Sequence, residues 1–547
     1  MPEGRGSIPR RIALLSGFLL RRFGGKQAAR TARARRRPMA RAPVISLVSL
    51  VGLCVFLAAC ARKPDPDTLV MIIESSPTNL DPRLGIDAQS ERIDELLFDD
   101  LLTRDQHFNV LPGLAEGWDT PDPLTYIFHL HRGVRFHDGR PLTSRDVKWT
   151  FDSLLEGRLR STKTPTYRFV QRIDAPDDAT VVFRLKEPSS TLLWNLSGAA
   201  MGIVPYGSGE ELGQHPIGSG PFRFVSAEMD KEVVIERNDD YWGEKAHLGR
   251  VRFAVVPDTT TRALELRKGS ADVESNGLTL DMVLALQKEP QLQVLHASGT
   301  VLAYLAFNLR DPILRDLRVR QALAFAIDRQ PLIHYLMRDF ARPAASILPP
   351  ESWAYSSDVA VYPHNPQRAR QILDDAGYRV VNGARFHLIM KTSTEESTRL
   401  LAAVLQQQLR EVGIALDIRT FESATFFSDV TRGEFQMYSL RWVGGNEDPD
   451  MFEMVFHSAR FAPQGVNRGF YRNPRVDALI DRARRESDQN TRQRLYAEIQ
   501  RILADELPYI NLWYFDNVLV ASRRVQGLTL NSSGNYDFLK TAALGAP

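Results

Sequence analysis

Cysteine is almost absent from this chain of 547 residues, which contains only Cys54 and Cys60. No Cys/His cluster has the spacing of a zinc site, and no two cysteines are placed to link distant parts of the chain. The sequence also lacks the G-x-x-x-x-G-K-[ST] motif of nucleotide-binding loops and the G-x-S-x-G motif of serine hydrolases. The small number of cysteines excludes a disulfide-stabilised fold and leaves an apolar core as the source of stability. The missing motifs give no sign of a nucleotide-binding loop or of a serine-hydrolase site.

An apolar stretch at residues 44–59 follows an arginine-rich segment and ends directly before Cys60. Its 16 residues fall short of the ~20 that a membrane-spanning helix needs, but they suit the apolar region of a secretory signal. The residues L-A-A-C at 57–60 resemble the lipobox of bacterial lipoproteins, in which cleavage precedes a cysteine that then carries a lipid. We therefore predict that residues 1–59 are an N-terminal extension and lipoprotein signal peptide, with Met39 as an alternative start and Cys60 as the lipidation site. A removed signal with an incidental cysteine and a short uncleaved anchor are the alternative interpretations.

Removal of this segment changes the charge balance of the chain. Residues 1–59 hold 12 lysines and arginines and one acidic residue, so the remaining chain has a net charge of −8 instead of +3. The basic character belongs to the targeting segment, and nothing in the remaining sequence favours nucleic acid as a partner.

The remaining chain alternates predicted strands and helices, which favours the α/β class. The apolar run at 69–73 predicts a strand, and residues 124–136 are strand-like with a hairpin turn expected at Asp138-Gly139. A capping box at 143–146 begins a predicted helix, and Gly157 ends it.

Two later segments carry equally clear signals. Asn365 and Pro366 supply an N-cap and a first helical residue, and Gly377 supplies the end of that helix. Residues 386–390, 396–412 and 414–418 predict a strand, a helix and a second strand, and together they indicate a βαβ unit with parallel strands.

Nine short motifs occur in a fixed order along the remaining chain. They are LPGLAEGW at 111–118, FHLHRGVRFHDG at 128–139, LTSRDV at 142–147, GSGPF at 218–222, NDDYWG at 238–243, FN at 307–308, RVRQAL at 318–323, AIDR at 326–329 and DPD at 448–450. The set resembles the extracellular solute-binding proteins of family 5, which are the peptide- and nickel-binding proteins of ABC importers.

The resemblance implies an α/β fold of the two-lobed periplasmic-binding-protein type (type II), with an additional small domain in the first lobe. The implied domains are lobe I at 60–104, 205–300 and 516–547, the extra subdomain at 105–204, and lobe II at 301–515. The chain would cross between the lobes near 297–304 and return near 513–520. Ligands of open α/β sheets lie beyond the strand ends, and closure of the two lobes would enclose the ligand.

The implied function is that of a substrate-binding lipoprotein which captures short peptides or peptide-like solutes and delivers them to an ABC permease. We expect a monomer on the exported side of the membrane, tethered through Cys60, with no cofactor, no metal in the site and no enzymatic activity. One alternative is a non-peptide ligand such as a nickel chelate, a sugar or an opine-like solute. Another is a ligand-sensing or chaperone protein on the same fold.

The candidate ligand contacts implied by the resemblance lie at strand ends and near the crossover. They are Glu74, Ser75, Ser76, Tyr304, Lys391, Thr392, Ser393, Arg441, Trp442, Val443, Gly444, Gly445, Asn446 and Glu447. Trp442 is expected to form an apolar wall, with a core position as the equal alternative. Arg441 is a candidate for a ligand carboxylate, although such an arginine more often pairs internally.

Gly445 stands where peptide-binding members of the family carry an aspartate that pairs with the peptide's α-amine. An unpaired ammonium is costly to bury, so a free amino terminus should not bind here in the usual way. Either Glu447, Glu395 or Glu74 replaces the aspartate, or the ligand lacks a free amine at that end. Asp448 and Asp450 are expected to cap a helix that begins near Met451.

His129 and His131 lie two residues apart on one predicted strand, so their side chains share a face. The segment lies away from the expected cleft, and we therefore predict a surface or packing role for both histidines rather than a metal site.

Overall fold

The computed structural model describes residues 67–198, 201–444 and 447–545. The predicted signal peptide, Cys60, Gly445 and Asn446 lie outside these residues. Within them, no helix combines the length and the apolar character that a bilayer crossing requires.

Strands and helices are numbered here in chain order. The strands are β1 Thr68–Ile73, β2 Leu102–Arg104, β3 Val110–Pro112, β4 Ala115–Asp122, β5 Thr125–Leu130, β6 Val170–Asp177, β7 Thr180–Leu185, β8 Phe222–Glu228, β9 Glu232–Arg237, β10 Arg250–Val255, β11 Val273–Ser275, β12 Leu292–Phe307, β13 Ala341–Pro343, β14 Phe386–Ser393, β15 Ile414–Phe421, β16 Met437–Trp442, β17 Tyr509–Ser522, β18 Val525–Gln526 and β19 Ala543–Leu544. The helices are α1 Ala88–Leu97, α2 Ser144–Leu155, α3 Leu192–Asn195, α4 Thr259–Lys268, α5 Leu280–Leu286, α6 Leu317–Ala326, α7 Arg329–Leu336, α8 Pro366–Asp375, α9 Glu396–Glu411, α10 Ser423–Arg432, α11 Met451–Phe456, α12 Pro474–Arg485, α13 Gln489–Glu506 and α14 Phe538–Thr541. Short 3-10 turns lie at Thr164–Tyr167, Glu210–Gly213 and Ser458–Arg460.

One 11-stranded sheet runs through the molecule in the order β15-β14-β16-β12-β17-β11-β1-β10-β9-β8, and β13 pairs with β17 beside this path. The strands β12 and β17 lie in the middle and pair antiparallel along most of their length. One end of β17 pairs with β11, and the last part of β12 pairs with β16. These two long strands are therefore the two connections between the halves of the sheet.

The pairing of β12 with β17 shifts register between Ser298 and Leu302. Gly299 lies in this interruption, and a Cβ atom placed on it would come within 2.4 Å of the Phe515 carbonyl oxygen. Only glycine lets the two backbones approach this closely.

Buried side chains of the described residues divide into clusters that follow the halves of the sheet. Two clusters form around β1, β10 and β11, and two others form on the opposite faces of β12 and β16, one of which also includes β14. A fifth cluster spans Leu101 to Ile203 and belongs to a separate four-stranded sheet, β4-β5-β7-β6, covered by α2. This arrangement fits two lobes and an extra domain, while the domain limits given above remain predictions.

In the extra domain, the structure confirms the capping box predicted at 143–146 and shortens the strand predicted at 124–136. The Asp146 carboxylate accepts the backbone N–H of Thr143 at 2.8 Å, as a capping box requires, and Gly157 takes a left-handed φ of +71° after α2. The predicted strand 124–136 is shorter, since β5 ends at Leu130 and pairs with β4 and β7. The Asp138-Gly139 turn closes only an isolated bridge between Arg135 and Pro141, because β5 has already ended at Leu130, well before the turn.

The other half of the sheet confirms the predicted βαβ unit. The strands β14 and β15 pair in parallel from Phe386–Ile414 to Ser393–Phe421, and α9 connects them. Asn365 caps α8 by accepting the N–H of Arg368 at 2.9 Å, and Gly377 follows the helix with a φ of +87°.

Candidate functional site

The strands β14, β15 and β16 are parallel neighbours, so their carboxyl ends lie at one edge of the sheet. This edge carries two groups of predicted contacts, Lys391 to Ser393 at the end of β14 and Arg441 to Val443 at the end of β16. Ligands of open α/β sheets bind beyond such ends. The fold thus brings these two groups together.

Trp442 stacks on Tyr304 with 5.8 Å between ring centroids and an angle of 16° between ring planes. On its other side Tyr304 stacks on Tyr509 at 4.6 Å. Tyr304 itself is only 1% exposed, because β12 is a central strand with both faces covered. The aromatic wall predicted at Trp442 is therefore the partly exposed end of a stack that continues into the core.

The polar side chains at the end of β14 have partners within the protein. The Lys391 ammonium lies 2.7 Å from Asp429, and this ion pair lowers the pKa of the Asp429 carboxyl. The Thr392 hydroxyl is fully buried and lies 3.0 Å from the hydroxyl of Thr420. Ser393 is also buried, and its hydroxyl accepts the N–H of Glu395 at 3.3 Å. Each of these groups therefore has at least one partner within the protein.

Arg441 is the candidate for binding a ligand carboxylate, and Glu395 is a candidate for binding a ligand amine. In the structure these two side chains pair with each other at 2.6 Å. Their side chains are 45% and 52% exposed, and the Arg441 guanidinium also lies 5.1 Å from the centre of the Phe515 ring. An exposed pair contributes about 0–1 kcal/mol, so a ligand charge can displace either partner at little cost.

A cavity of about 750 Å³ lies between α1, the extra domain and the segment that follows β16. Val443, Gly444 and Glu447 line one side of it, and α1 and the region before α14 line the other. Its volume is in the ordinary range for small-molecule sites, roughly 300–1,000 Å³. Gly444, with a φ of +69°, turns the chain into this cavity wall.

The Arg104 guanidinium faces Glu447 across the cavity wall, with 3.7 Å between the charged atoms. Glu447 also accepts a hydrogen bond from the Thr300 hydroxyl at 3.1 Å. Burial raises the pKa of the Glu447 carboxyl, and Arg104 and Thr300 oppose that rise. The carboxylate proposed as an amine ligand thus already faces an internal cation.

Arg104 is held in place by the end of the extra domain. Its Nε donates to the Ser197 hydroxyl at 2.9 Å, its Nη2 donates to the Gly198 carbonyl at 2.9 Å, and its guanidinium lies 3.7 Å from the centre of the Trp194 ring. No local sequence pattern points to this role, because Glu447 lies far along the chain from Arg104.

Two carboxyls on the opposite wall were also missed by the sequence analysis. Burial raises the pKa of Glu95 to about 8 and that of Asp100 to about 7. Glu95 Oε2 has no hydrogen-bond partner among the described residues. The regular spacing of α1 could have suggested an inward-facing Glu95, but not its surroundings.

Glu74, Ser75 and Ser76 lie at the end of β1, outside the residues that line this cavity. Glu74 and Ser75 are exposed, and the Ser76 hydroxyl accepts the N–H of Asp230 at 2.7 Å. This part of the cavity is lined by α1 and by residues 531–540, and ligand contact by Glu74, Ser75 and Ser76 stays a prediction.

The prediction that Asp448 and Asp450 cap a helix is only partly correct. The helix α11 does begin at Met451 with Asp450 as its N-cap residue, but the Asp450 side chain makes no capping hydrogen bond. It accepts from the Arg484 guanidinium at 2.6 Å instead, because that cation reaches it from α12. Burial and the nearby Asp450 raise the pKa of Asp448 to about 6.

His129 and His131 each face an acid on β4 of the extra domain. His129 lies 2.9 Å from Asp119, and His131 lies 3.8 Å from Glu116. In the part of the chain that the structure describes, no group of three His, Cys, Asp or Glu side chains could hold a metal ion.

Known proteins show the same sequence pattern and fold. The model of the bacterial extracellular solute-binding proteins, family 5 Middle, matches residues 109–462. The dipeptide-binding protein of Escherichia coli (strain K12) is 26% identical over 526 residues, which cover 89% of this chain and 97% of that protein. The structure of HbpA2 from Haemophilus parasuis gives a TM-score of 0.78 at 26% identity, covering 88% of this chain and 100% of that one. DppA from Helicobacter pylori, in complex with peptide STSA, gives 0.70 at 27% identity, covering 88% and 98%.

The fold is therefore that of a two-lobed α/β binding protein, consistent with type II. The chain belongs to family 5 of the bacterial extracellular solute-binding proteins. The family and these relatives are binding proteins, not enzymes.

Proposed function

We propose that this protein captures short peptides or peptide-like solutes between its lobes and delivers them to an ABC permease without changing them chemically. The observation that supports this most is the 750 Å³ cavity, which is lined by α1, by the extra domain and by Val443, Gly444 and Glu447. A ligand that touches all of these walls holds the lobes together, and a permease can distinguish that closed form from an open one.

We further propose that the ligand has no free α-amine at the position where Gly445 replaces the aspartate of peptide-binding relatives. Glu447 is already compensated by Arg104, and Glu395 by Arg441. An ammonium bound to Glu447 would share that carboxylate with the Arg104 guanidinium and would be repelled by this cation, so Glu447 is a weaker amine site than an unpaired carboxylate. Peptides blocked at the amino end, or bound in another orientation, avoid this repulsion.

We also propose that the protein is exported and stays attached to the membrane. The lipobox-like sequence before Cys60 supports a signal peptide and a lipid tether on the exported side of the membrane. We propose a monomer, because one copy supplies every wall of the cavity.

The test is to purify the protein, denature it, and identify any released small molecule by mass spectrometry. Titration calorimetry with Ala-Ala-Ala and with its N-acetylated form then compares a free amine with a blocked one. Tighter binding of the acetylated peptide supports both parts of the proposal. Tighter binding of the free peptide contradicts the second part, and a released sugar or metal chelate contradicts the first.

A further inference from the structure

A second cavity, of about 400 Å³, is lined by residues between Ile327 and Asn511, all in the predicted lobe II. Its walls come from the start of α7, the segment after β13, the segment before α8, the end of α13 and the start of β17. Of the described residues, none lines both this cavity and the 750 Å³ cavity of the candidate site. Its volume is within the range of small-molecule sites, roughly 300–1,000 Å³. The two cavities are therefore separate places in the molecule.

The side chains around the second cavity are mainly apolar. Phe452 and Phe456 of α11 line its buried part, and Leu503 of α13 lies beside them. Val361 also lines the cavity and is 70% exposed, so the cavity opens to the surface at this residue. Apolar walls with a few polar groups are typical of sites for small molecules that have an apolar body.

Arg329, the first residue of α7, contributes a partly buried guanidinium to this cavity wall. Its Nε donates to the Asn511 carbonyl at 3.0 Å, and its Nη1 donates to the Tyr362 carbonyl at 3.2 Å. Its Nη2 makes no hydrogen bond to any residue that the structure describes. A guanidinium only donates, so Nη2 is left for an acceptor from outside the chain.

The charge of Arg329 is only partly compensated. The neighbouring Asp328 carboxylate lies 3.1 Å from His364 and accepts the N–H of Gln330 at 3.2 Å. Among the residues with a described position, none places a carboxylate within 4.0 Å of the Arg329 guanidinium. Burial lowers the pKa of Arg329 to about 10, although Asp328 opposes this effect. The guanidinium is therefore charged at neutral pH, and an anion in the cavity would be attracted to it.

We propose that the second cavity is a further binding site, which takes a small carboxylate with an apolar body. Arg329 Nη2 donates to the carboxylate, and the apolar body covers Phe452, Phe456 and Val361. A charge-assisted hydrogen bond fixes the orientation of such a ligand, and the apolar contact adds affinity.

The walls of this second site are held in place without a ligand. Arg329 ties the Tyr362 carbonyl to the Asn511 carbonyl, and the Tyr362 hydroxyl donates to the Ala504 carbonyl at 3.1 Å. Since the guanidinium is already fixed, little of its conformational freedom is lost when a ligand binds. The second site goes beyond the proposed function and does not depend on it, because the peptide is assigned to the other cavity.

The test uses three small probes, whose binding is followed by ligand-observed NMR titration. Phenylacetate carries a carboxylate and a ring, phenylacetamide keeps the shape without the charge, and acetate keeps the charge without the ring. Phenylacetate has about 10 non-hydrogen atoms, so we expect its dissociation constant to be roughly millimolar.

Four variants locate the bound probe. Arg329→Gln removes the guanidinium, and Val361→Asp adds a negative charge where the cavity opens. Val381→Asp is the matched control, because Val381 is 66% exposed and does not line the cavity. Trp442→Ala shows whether the probe binds at the candidate peptide site instead. Melting temperatures show which variants fold, and Val361→Asp decides the question if Arg329→Gln does not fold.

We expect phenylacetate to bind the wild type, Val381→Asp and Trp442→Ala with equal affinity. Arg329→Gln should weaken its binding roughly tenfold or more, which is the value of a hydrogen bond to a charged group. Val361→Asp should weaken it severalfold, because the new carboxylate repels that of the probe. Phenylacetamide and acetate should each bind the wild type more weakly than phenylacetate.

No binding of phenylacetate to the wild type, or equal binding of phenylacetate and phenylacetamide, overturns the proposal. Loss of binding in Trp442→Ala with no change in Val361→Asp also overturns it, because the probe then occupies the candidate peptide site. Equal effects of Val361→Asp and Val381→Asp do the same, since the added charge would then act without regard to its position. These outcomes leave the proposed capture of peptides untouched, because that function is tested with peptides and released molecules.

Discussion

Arg104 at the end of β2 and Glu447 after β16 lie 3.7 Å apart, although they come from opposite sides of the cavity. Their side chains are only 18% and 13% exposed, so each ion depends on the other for compensation of its charge. The pair thereby joins the segment directly before the extra domain to the segment that follows β16.

Replacement of Arg104 by glutamine should destabilise the protein in a pH-dependent way. Burial already raises the pKa of Glu447, and loss of Arg104 should raise it further. The unfolded state would then release the Glu447 proton at a lower pH than the folded state, so the stability deficit grows as the pH rises through the folded pKa. We expect a loss of roughly 1–3 kcal/mol in urea unfolding at pH 7.5, the cost of leaving a polar group unsatisfied, and a smaller loss at pH 5. The double variant Arg104→Gln/Glu447→Gln should recover stability, and no recovery would show that the two charges do not interact.

Glu95→Gln should have the opposite effect on stability. The pKa of Glu95 is raised to about 8 by burial, so the carboxyl is more stable protonated in the folded state than in the unfolded state. Its contribution is complete below about pH 4 and is lost as the pH rises towards 8. The glutamine variant, which never ionises, should gain roughly 2–4 kcal/mol relative to the wild type at pH 8.5 and little at pH 4. Glu228→Gln, at an exposed position, is the control, and equal curves for both variants would contradict the prediction.

The sequence predicts local elements well where one segment carries its own signals. The βαβ unit from Phe386 to Phe421 follows from strand composition, helix periodicity and glycine stops, and the structure confirms it. The site is harder, because its contacts join distant segments. Arg104 has no local feature that points to Glu447, and Arg441 pairs with Glu395 only because two strand ends meet.

The alternation of side chains along a strand explains why Thr392, a predicted ligand contact, is buried. Leu388, Met390 and Thr392 are all fully buried, since alternate residues of β14 share one face. The same period could have placed Thr392 in the core beforehand. The same alternation could not have predicted the burial of Tyr304, because residues 302–307 of the central strand are buried on both faces.

Trp442→Ala should weaken ligand binding about tenfold or more while leaving the fold intact. The ring is partly exposed at the strand-end edge, and its stack on Tyr304 supplies a flat apolar surface. Trp442→Phe keeps an aromatic face but removes Nε1, so it separates the two contributions. Calorimetry with a peptide that binds the wild type provides the measurement. Unchanged affinity in the alanine variant would remove Trp442 from the site.

Cys60→Ser should release the protein from membranes. A serine cannot accept the thioether-linked lipid, and the apolar stretch before it is too short for a stable span. Cys54→Ser is a matched control, since it changes the other cysteine of the chain without touching the predicted cleavage site. Membrane fractionation and the mass of the N-terminal peptide provide the readout. Continued membrane association of the Cys60 variant, or equal release of both variants, would contradict the lipoprotein prediction.

Gly299→Ala should destabilise the connection between the lobes. The new Cβ would lie 2.4 Å from the Phe515 carbonyl oxygen, and backbone on both sides leaves β12 or β17 to move. We expect a loss of roughly 1–3 kcal/mol in urea unfolding, as for other overpacked sites. Gly117→Ala is the matched control, because a Cβ there meets no atom within 4 Å. That variant should be neutral or stabilised by up to about 1 kcal/mol through the lower entropy of its unfolded chain. A Gly299 variant as stable as the Gly117 variant would mean that β12 and β17 can separate locally, and the close approach would then not constrain the two crossing strands.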